Sequence, residues 1–551
     1  MFKCKQLLRR ICVVSYVFLL CGGLVNASNL VSKTNTLIGT QGNGWASGYL
    51  YPGATYPFGM VQFTPTYFTK QLGFVINQLS GAGCDHMGNF PTLPIAGALR
   101  VSPDSILNMQ TPVGKEIGTA GYYAATVDHS IRAELTVTER TGMARYTFSS
   151  KEKQGTVIIG GGVAATSIQV AAIKITGPHS CEGYAEGGAF CGIPTPYKVY
   201  FVAEFDADAE SFGTWKEERL HANHTFAEGS HSGVYFTFPL KEGNQAVQYK
   251  IGVSYVSVEN ARENLRVENP AWDFSAVRQA TQDKWNEYLG KIEVEGDNED
   301  RQMQFYTHLY RSLIHPNVCS DVNGEYMGAD SQVHKTARKF YTSFSNWDTY
   351  RTQTALIAML APEETSDIVM SHYLFAEQSG GGFPRWVLAN IETGVMQGDP
   401  TPILVANAYA FGARNYDPRT LLRTMRYGAE VPGANSQGVL TRPGLEQYLE
   451  KGYYDASILL EYTSSDFAIG RFALQACNDE PVCNWYTQRA MNWKNLFNKE
   501  TGWLQSRNED GSWKRYDADW RESTYKNYFW MVPYDIAGLI EIIGGKAAAE
   551  K

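Results

Sequence analysis

The chain has 551 residues and a formal net charge of -8; 44% of its residues are hydrophobic, 13% aromatic and 19% charged. That is enough apolar material for a large core and for roughly three or four domain-sized units, and it excludes a largely disordered chain. The acidic balance argues against nucleic-acid or anionic-membrane partners, which require a basic face.

The N-terminus reads as an export signal. Lys3, Lys5, Arg9 and Arg10 form a basic start. Residues 11–20 follow as an apolar run of roughly ten residues, too short to span a bilayer. Val25-Asn26-Ala27 offers a small-x-small cleavage site, so residues 1–27 are expected to be removed and the product periplasmic or secreted. No later segment reaches the ~18 uncharged apolar residues of a membrane helix, so no integral membrane span is expected. Six cysteines remain after residue 27. Their spacing suggests short-range pairs Cys181–Cys191 and Cys477–Cys483, and the lack of CxxC spacing argues against a zinc site.

Residues 28–270 read as a β-sandwich. Gly and Pro are frequent, and short β-rich runs recur at 155–159, 199–205, 234–238 and 250–256. The pattern turns helical after residue 270. A helical linker is expected over 271–335, where Met303, Tyr306, Tyr310 and Leu313 recur at three-to-four spacing until His315-Pro316. Within 336–551, helical stretches are predicted at 349–360, 363–378, 400–413, 418–430, 455–477 and 482–497, with another starting near Asp535. Pro362, Gly380-Gly381-Gly382, Asp399-Pro400 and Asp417-Pro418 separate them. Helix pairs after a β-domain suggest an α+β multidomain chain ending in an (α/α)6-type helical toroid. The helices number too few to close such a ring, so the toroid is expected to be partial. Asp321-Val322-Asn323-Gly324-Glu325 lacks the twelve-residue calcium-loop pattern and reads as a hairpin turn. Cys84-Asp85-His86 reads as a loop bordering a cleft.

An ordered set of segments carries a resemblance. Tyr51-Pro52-Gly53-Ala54-Thr55-Tyr56-Pro57-Phe58-Gly59-Met60 comes first, then Leu79-Ser80-Gly81-Ala82-Gly83-Cys84. Asn346-Trp347-Asp348-Thr349-Tyr350-Arg351, Gly380-Gly381-Gly382-Phe383-Pro384-Arg385-Trp386, Gly398-Asp399 and Trp530-Met531-Val532-Pro533 follow in order. Spread over about residues 34–545, these resemble glycoside hydrolase family 92, the calcium-dependent exo-α-mannosidases. The resemblance implies an N-terminal β-sandwich, a helical linker and an (α/α)6 barrel. It implies inverting hydrolysis of terminal α-mannosides on mannose-containing glycans (N-glycan or mannan), with Ca2+ gripping the sugar's hydroxyls.

It also implies residue roles. Glu522 aligns with the general acid, which should be buried and proton-bearing beside Trp347 and Asp348. Those two look like the family's sugar-binding pair. Cys84 and Asp399 fall at substrate-binding positions, and Asn43 and Asn527 at calcium positions. On the residues alone, Glu522 reads as a surface acid near a helix start, Trp347 as a core aromatic, Asp348 as a helix N-cap and Asn43 as a turn residue. After Glu522 the family's usual Gly-Asn-Ala-x-Gln-Tyr is replaced by Ser523 to Asn527 before Tyr528, and Lys526 would oppose proton donation if it faced the acid. The family's general base falls in a stretch beyond Lys551; Asp517, Asp519 and Asp535 do not match its motif. A catalytically inactive mannose-binding relic is therefore the alternative. A polysaccharide lyase or a glycoside phosphorylase on the same architecture is a third reading; a lyase would want a basic groove, which the net charge disfavours.

Overall fold

A computed structural model describes residues 29–40, 49–65, 73–104, 113–128, 130–188, 190–193, 195–242 and 245–550. The expected export signal and Asn43 lie outside the described residues.

Two antiparallel sheets face each other. One runs, in spatial order, Ala54–Thr55, Gln62–Pro65, Phe74–Val75, Thr92–Ala96, Gln154–Ile159, Ser232–Pro239, Ser211–Lys216 and Arg219–Ala222. The other runs Phe226–Glu228, Ile168–Gly177, Ser180–Gly187, Tyr197–Phe205, Ala246–Ser254, Thr141–Thr147, Ile131–Val137, Tyr122–Val127 and Val113–Thr119. The runs at 155–159, 199–205 and 234–238 lie on these strands, and the run at 250–256 extends two residues past the end of Ala246–Ser254. Alternation sets the faces: Ile131, Ala133, Leu135 and Val137 are fully buried, while Arg132 and Glu134 between them are only half-buried. An aromatic core fills the gap, with Phe205 lying 5.0 Å from Phe236 and 5.3 Å from Tyr249, centroid to centroid. Each such ring contributes roughly 1.5–3 kcal/mol by leaving water.

The cysteine pairing differs from the expectation. Cys181 alternates inward on Ser180–Gly187, opposite Ala203, and is sealed in the sandwich core as a free thiol. Cys191 instead sits in the hairpin closed by Phe190 and Ile193 and is bonded to Cys84, 107 residues away. Cys477 and Cys483 are also free; the latter lies buried against Thr487 of its own helix.

Helix formation begins earlier than residue 270. Helix α1 (Val258–Glu268) is capped by the Ser257 hydroxyl, which accepts the Asn260 N–H. It buries Ala261 and Leu265 against Val202 of the sandwich. Gly252 permits this approach, because any Cβ there would strike the Ala261 carbonyl. Helices α2 (Phe274–Leu289) and α3 (Glu299–Ser312) form the linker, capped by Asp273 and Asn298. The Trp285 Nε1–H donates to the Thr55 carbonyl at 2.7 Å and so ties α2 to the sandwich. The Asp321 segment is a turn, with Gly324 N–H donating to Asp321 O at 2.9 Å. It leads into paired strands Glu325–Met327 and Val333–Lys335.

The helical domain follows as α4 (Asn346–Thr349), α5 (Gln353–Leu360), α6 (Pro362–Ser379), α7 (Thr401–Ala410), α8 (Pro418–Glu430), α9 (Leu445–Lys451), α10 (Ala456–Cys477), α11 (Glu480–Ala490), α12 (Tyr525–Tyr528), α13 (Ile536–Ile542) and α14 (Lys546–Ala549). Pro362 and Pro418 stand at first helical positions, where proline's missing N–H costs nothing. Helix α10 packs against α7, α8 and α11 and buries most of its length, Glu461 and Asp466 included. The architecture is thus a β-rich N-terminal domain joined to a helical domain. Among the described residues no helix is long and apolar enough to cross a membrane.

Candidate active site

A cavity of about 1300 Å³ lies where loops of the sandwich meet the helical domain. Leu79 to Cys84 and Cys191 line it from the β side; Ser345, Asp348, Thr349, Trp386, Arg521 and Glu522 line it from the helical side. Asp348 and Glu522 are the carboxylates on this wall among the described residues.

Asp348 stands on α4, a single helical turn entered from Ser345. Helical geometry gives this turn two faces, because residues three and four apart share a side. Ser345, Asp348 and Thr349 face the cavity. Trp347, Tyr350 and Arg351 share the opposite face and converge on Glu461 of α10. There the Trp347 Nε1–H donates to Oε1 at 3.2 Å, the Tyr350 hydroxyl to Oε2 at 3.1 Å, and Arg351 Nη2 lies 3.4 Å from Oε1. Ser345, not Asp348, is the N-cap residue, and the Ser345 hydroxyl donates to the Asp348 carboxylate. Asp348 is exposed; Trp347 is half-buried and does not line the cavity. The predicted sugar-binding pair is therefore split between the two faces of one turn.

Glu522 is exposed rather than buried. It sits in the loop before α12 with φ +49°, a left-handed conformation that a side-chain-bearing residue holds only when its surroundings impose it. The chain is anchored on both sides of it. The Ser457 hydroxyl donates to the carbonyl of Asp519 at 2.7 Å, and Lys514 bridges Asp519 (2.9 Å) and Asp455 (2.7 Å). On the other side of Glu522, Gln397 Nε2 donates to the Tyr528 hydroxyl at 3.2 Å. The cation on the cavity wall next to Glu522 is Arg521; Lys526 is exposed and does not line the cavity. The other nearby aspartates are engaged elsewhere: Asp517 pairs with Arg515, and Asp535 caps α13 and accepts from Trp493.

Cys84 lines the cavity as half of a disulfide, so a ligand meets a two-sulfur edge and no thiol. Asp399 does not reach the cavity wall. It is 2% exposed, and its carboxylate accepts Arg442 Nε at 2.8 Å; Arg442 also holds Asp466 at 2.8 Å. Burial raises the Asp399 carboxyl while Arg442 opposes that rise. Asn527 is exposed on α12 and does not line the cavity. Among the described residues no group of three or more His, Cys, Asp or Glu is arranged to hold a metal ion.

Two residues were not singled out as site residues from sequence. His315 lines the cavity, and its Nε2 accepts the Ser80 N–H at 2.9 Å, so Nδ1 carries the proton donated to Asn317 Oδ1 at 2.7 Å. Burial pushes its pKa down to about 4 and keeps the ring neutral, so it fixes the loop carrying Cys84. Glu461 is the other. Its only sequence signal was an acid directly after the apolar run Ile458-Leu459-Leu460, an expensive placement unless partners meet it.

Comparison with known proteins places this geometry. Residues 34–254 match the glycosyl hydrolase family 92 N-terminal domain, and residues 260–551 match the family 92 catalytic domain. The chain belongs to glycosyl hydrolase family 92. An uncharacterized secreted glycosidase of Arthroderma benhamiae is 24% identical to it, across 94% of this chain and 73% of the relative. A family 92 α-mannosidase structure from Bacteroides thetaiotaomicron superposes with a TM-score of 0.85 at 25% identity, covering 95% of this chain and 74% of that one. A family 92 inverting mannosidase from Bacteroides thetaiotaomicron VPI-5482 gives a TM-score of 0.85 at 26% identity, covering 94% and 73%. The first of these enzymes has also been solved in complex with mannoimidazole.

Proposed function

We propose that this chain is an exported enzyme that hydrolyses terminal α-linked mannose from glycans with inversion, using Glu522 as general acid. The observation that carries the reading is that Asp348 and Glu522 bring two carboxylates to one cavity of a family 92 catalytic domain. A protonated Glu522 would donate to the leaving glycosidic oxygen, a contribution of ~10²–10⁴-fold in rate. Asp348 would accept a sugar hydroxyl; one of its oxygens already takes the Ser345 hydroxyl, which holds the other toward that task. The Cys84–Cys191 edge and Trp386 supply apolar wall. Calcium belongs to this proposal on the resemblance alone.

A mannose-binding protein without catalysis is the second reading. It is favoured by the exposure of Glu522, where the expected acid would be buried. The deciding experiment measures mannose release from α-linked mannobioses by wild type and Glu522→Gln, with mannoimidazole affinity measured by calorimetry. Release lost in Glu522→Gln supports the enzyme. Affinity without release supports the binding protein. Neither release nor affinity refutes both.

A further inference from the structure

Glu461 is fully buried, yet three donors from one helical turn converge on it. It does not line the cavity, so it has no access to a substrate or to an attacking water there. Its stem is also confined. Gly398 packs over it with φ +74°, and a Cβ at that position would meet the Glu461 Cβ at 2.6 Å. A buried carboxylate with no partners would be costly, so the carboxylate and its three donors hold one another. Because Trp347, Tyr350 and Arg351 occupy one face of the turn, locking them fixes the rotation of the other face, which carries Asp348.

We propose that Glu461 is a positioning residue: a buried carboxyl clamp that grips the back of the Asn346–Thr349 turn and so aims Asp348 into the cavity. Arg351 adds to the clamp by stacking on the Trp347 ring at 4.9 Å from its centroid. A four-residue helix has no stability of its own, so its orientation must come from such outside contacts. The inference rests on the reading of Asp348 as a sugar-binding carboxylate.

The test combines a mutant cycle with hydrogen exchange, both on the full chain. Glu461→Leu removes the acceptors, Glu461→Gln keeps one oxygen, and Gly398→Ala displaces the stem without altering the carboxylate. The expected result is that Glu461→Leu weakens mannoimidazole binding by about tenfold or more, the scale of a lost hydrogen bond to a charged group. Glu461→Gln should recover part of the loss, and in an Asp348→Asn background Glu461→Leu should change affinity little. Amide exchange over residues 346–351 should accelerate in Glu461→Leu and Gly398→Ala. Additive effects of Glu461→Leu and Asp348→Asn, or unchanged exchange over 346–351, overturn the clamp. If wild type does not bind mannoimidazole, the functional reading fails, and the exchange data alone decide the clamp.

Discussion

Replacing Arg442 by Met tests whether the helical domain is organised around a buried charge network. Arg442 is fully buried, with Nε 2.8 Å from Asp399 and Nη1 2.8 Å from Asp466. Arg489 also holds Asp466, with Nε at 2.7 Å, and the Tyr448 hydroxyl donates to the same carboxylate at 2.6 Å. Removing Arg442 therefore leaves Asp466 partly paired but strips Asp399 of its ion pair. Breaking a buried pair by removing one partner costs about 3–5 kcal/mol, because the remaining charge is uncompensated. The loss should depend on pH in a defined direction. Burial already raises the Asp399 carboxyl above its usual range, and Arg442 is the main group opposing that rise. In Arg442→Met the folded-state pKa climbs further above the unfolded value, so native stability is favoured at low pH and lost as pH rises through the new pKa. Urea titrations of wild type and Arg442→Met at about pH 5 and pH 8 should then show the larger deficit at pH 8. The double variant Asp399→Asn/Arg442→Met should recover part of it, since no charge is left at position 399. A deficit below about 1 kcal/mol, or one that is equal at both pH values, would refute the reasoning.

Other outcomes follow from the same structure. Burial holds His86, His315 and His372 at about 4, below the ordinary 6.5. Their contribution to stability is complete above pH 6.5 and disappears as pH falls toward 4, so the urea midpoint should decline over that window; a flat profile would contradict their neutral burial. Reducing Cys84–Cys191 opens a loop of 107 residues and should lower sandwich stability by ~2–5 kcal/mol. Melting with and without reductant should show the drop in wild type and none in Cys84→Ser/Cys191→Ser. Gly252→Ala places a methyl against the Ala261 carbonyl and should cost ~1–3 kcal/mol by prying α1 from the sandwich, visible as a lowered melting temperature.

The elements were legible because they are local. Strand Tyr197–Phe205 is built on a short β-rich run, and the proline-started helices Pro362–Ser379 and Pro418–Glu430 carry their own stop and start signals. Helix α1, which begins before residue 270, was not legible because it is short and polar. What marks it is its docking over Gly252, a contact that no local pattern encodes.

Sequence by itself determined the β-then-α order, the proline-started helices and the family, since each is written in nearest-neighbour chemistry or in an ordered string of segments. The site needed the folded chain. Which cysteine meets Cys84, whether Trp347 faces the cavity or Glu461, and whether Asp399 lines the cavity or meets Arg442 all depend on groups dozens to hundreds of residues away. Charge pairing and burial are set by three-dimensional proximity, and a one-dimensional pattern carries no record of which distant partner arrives.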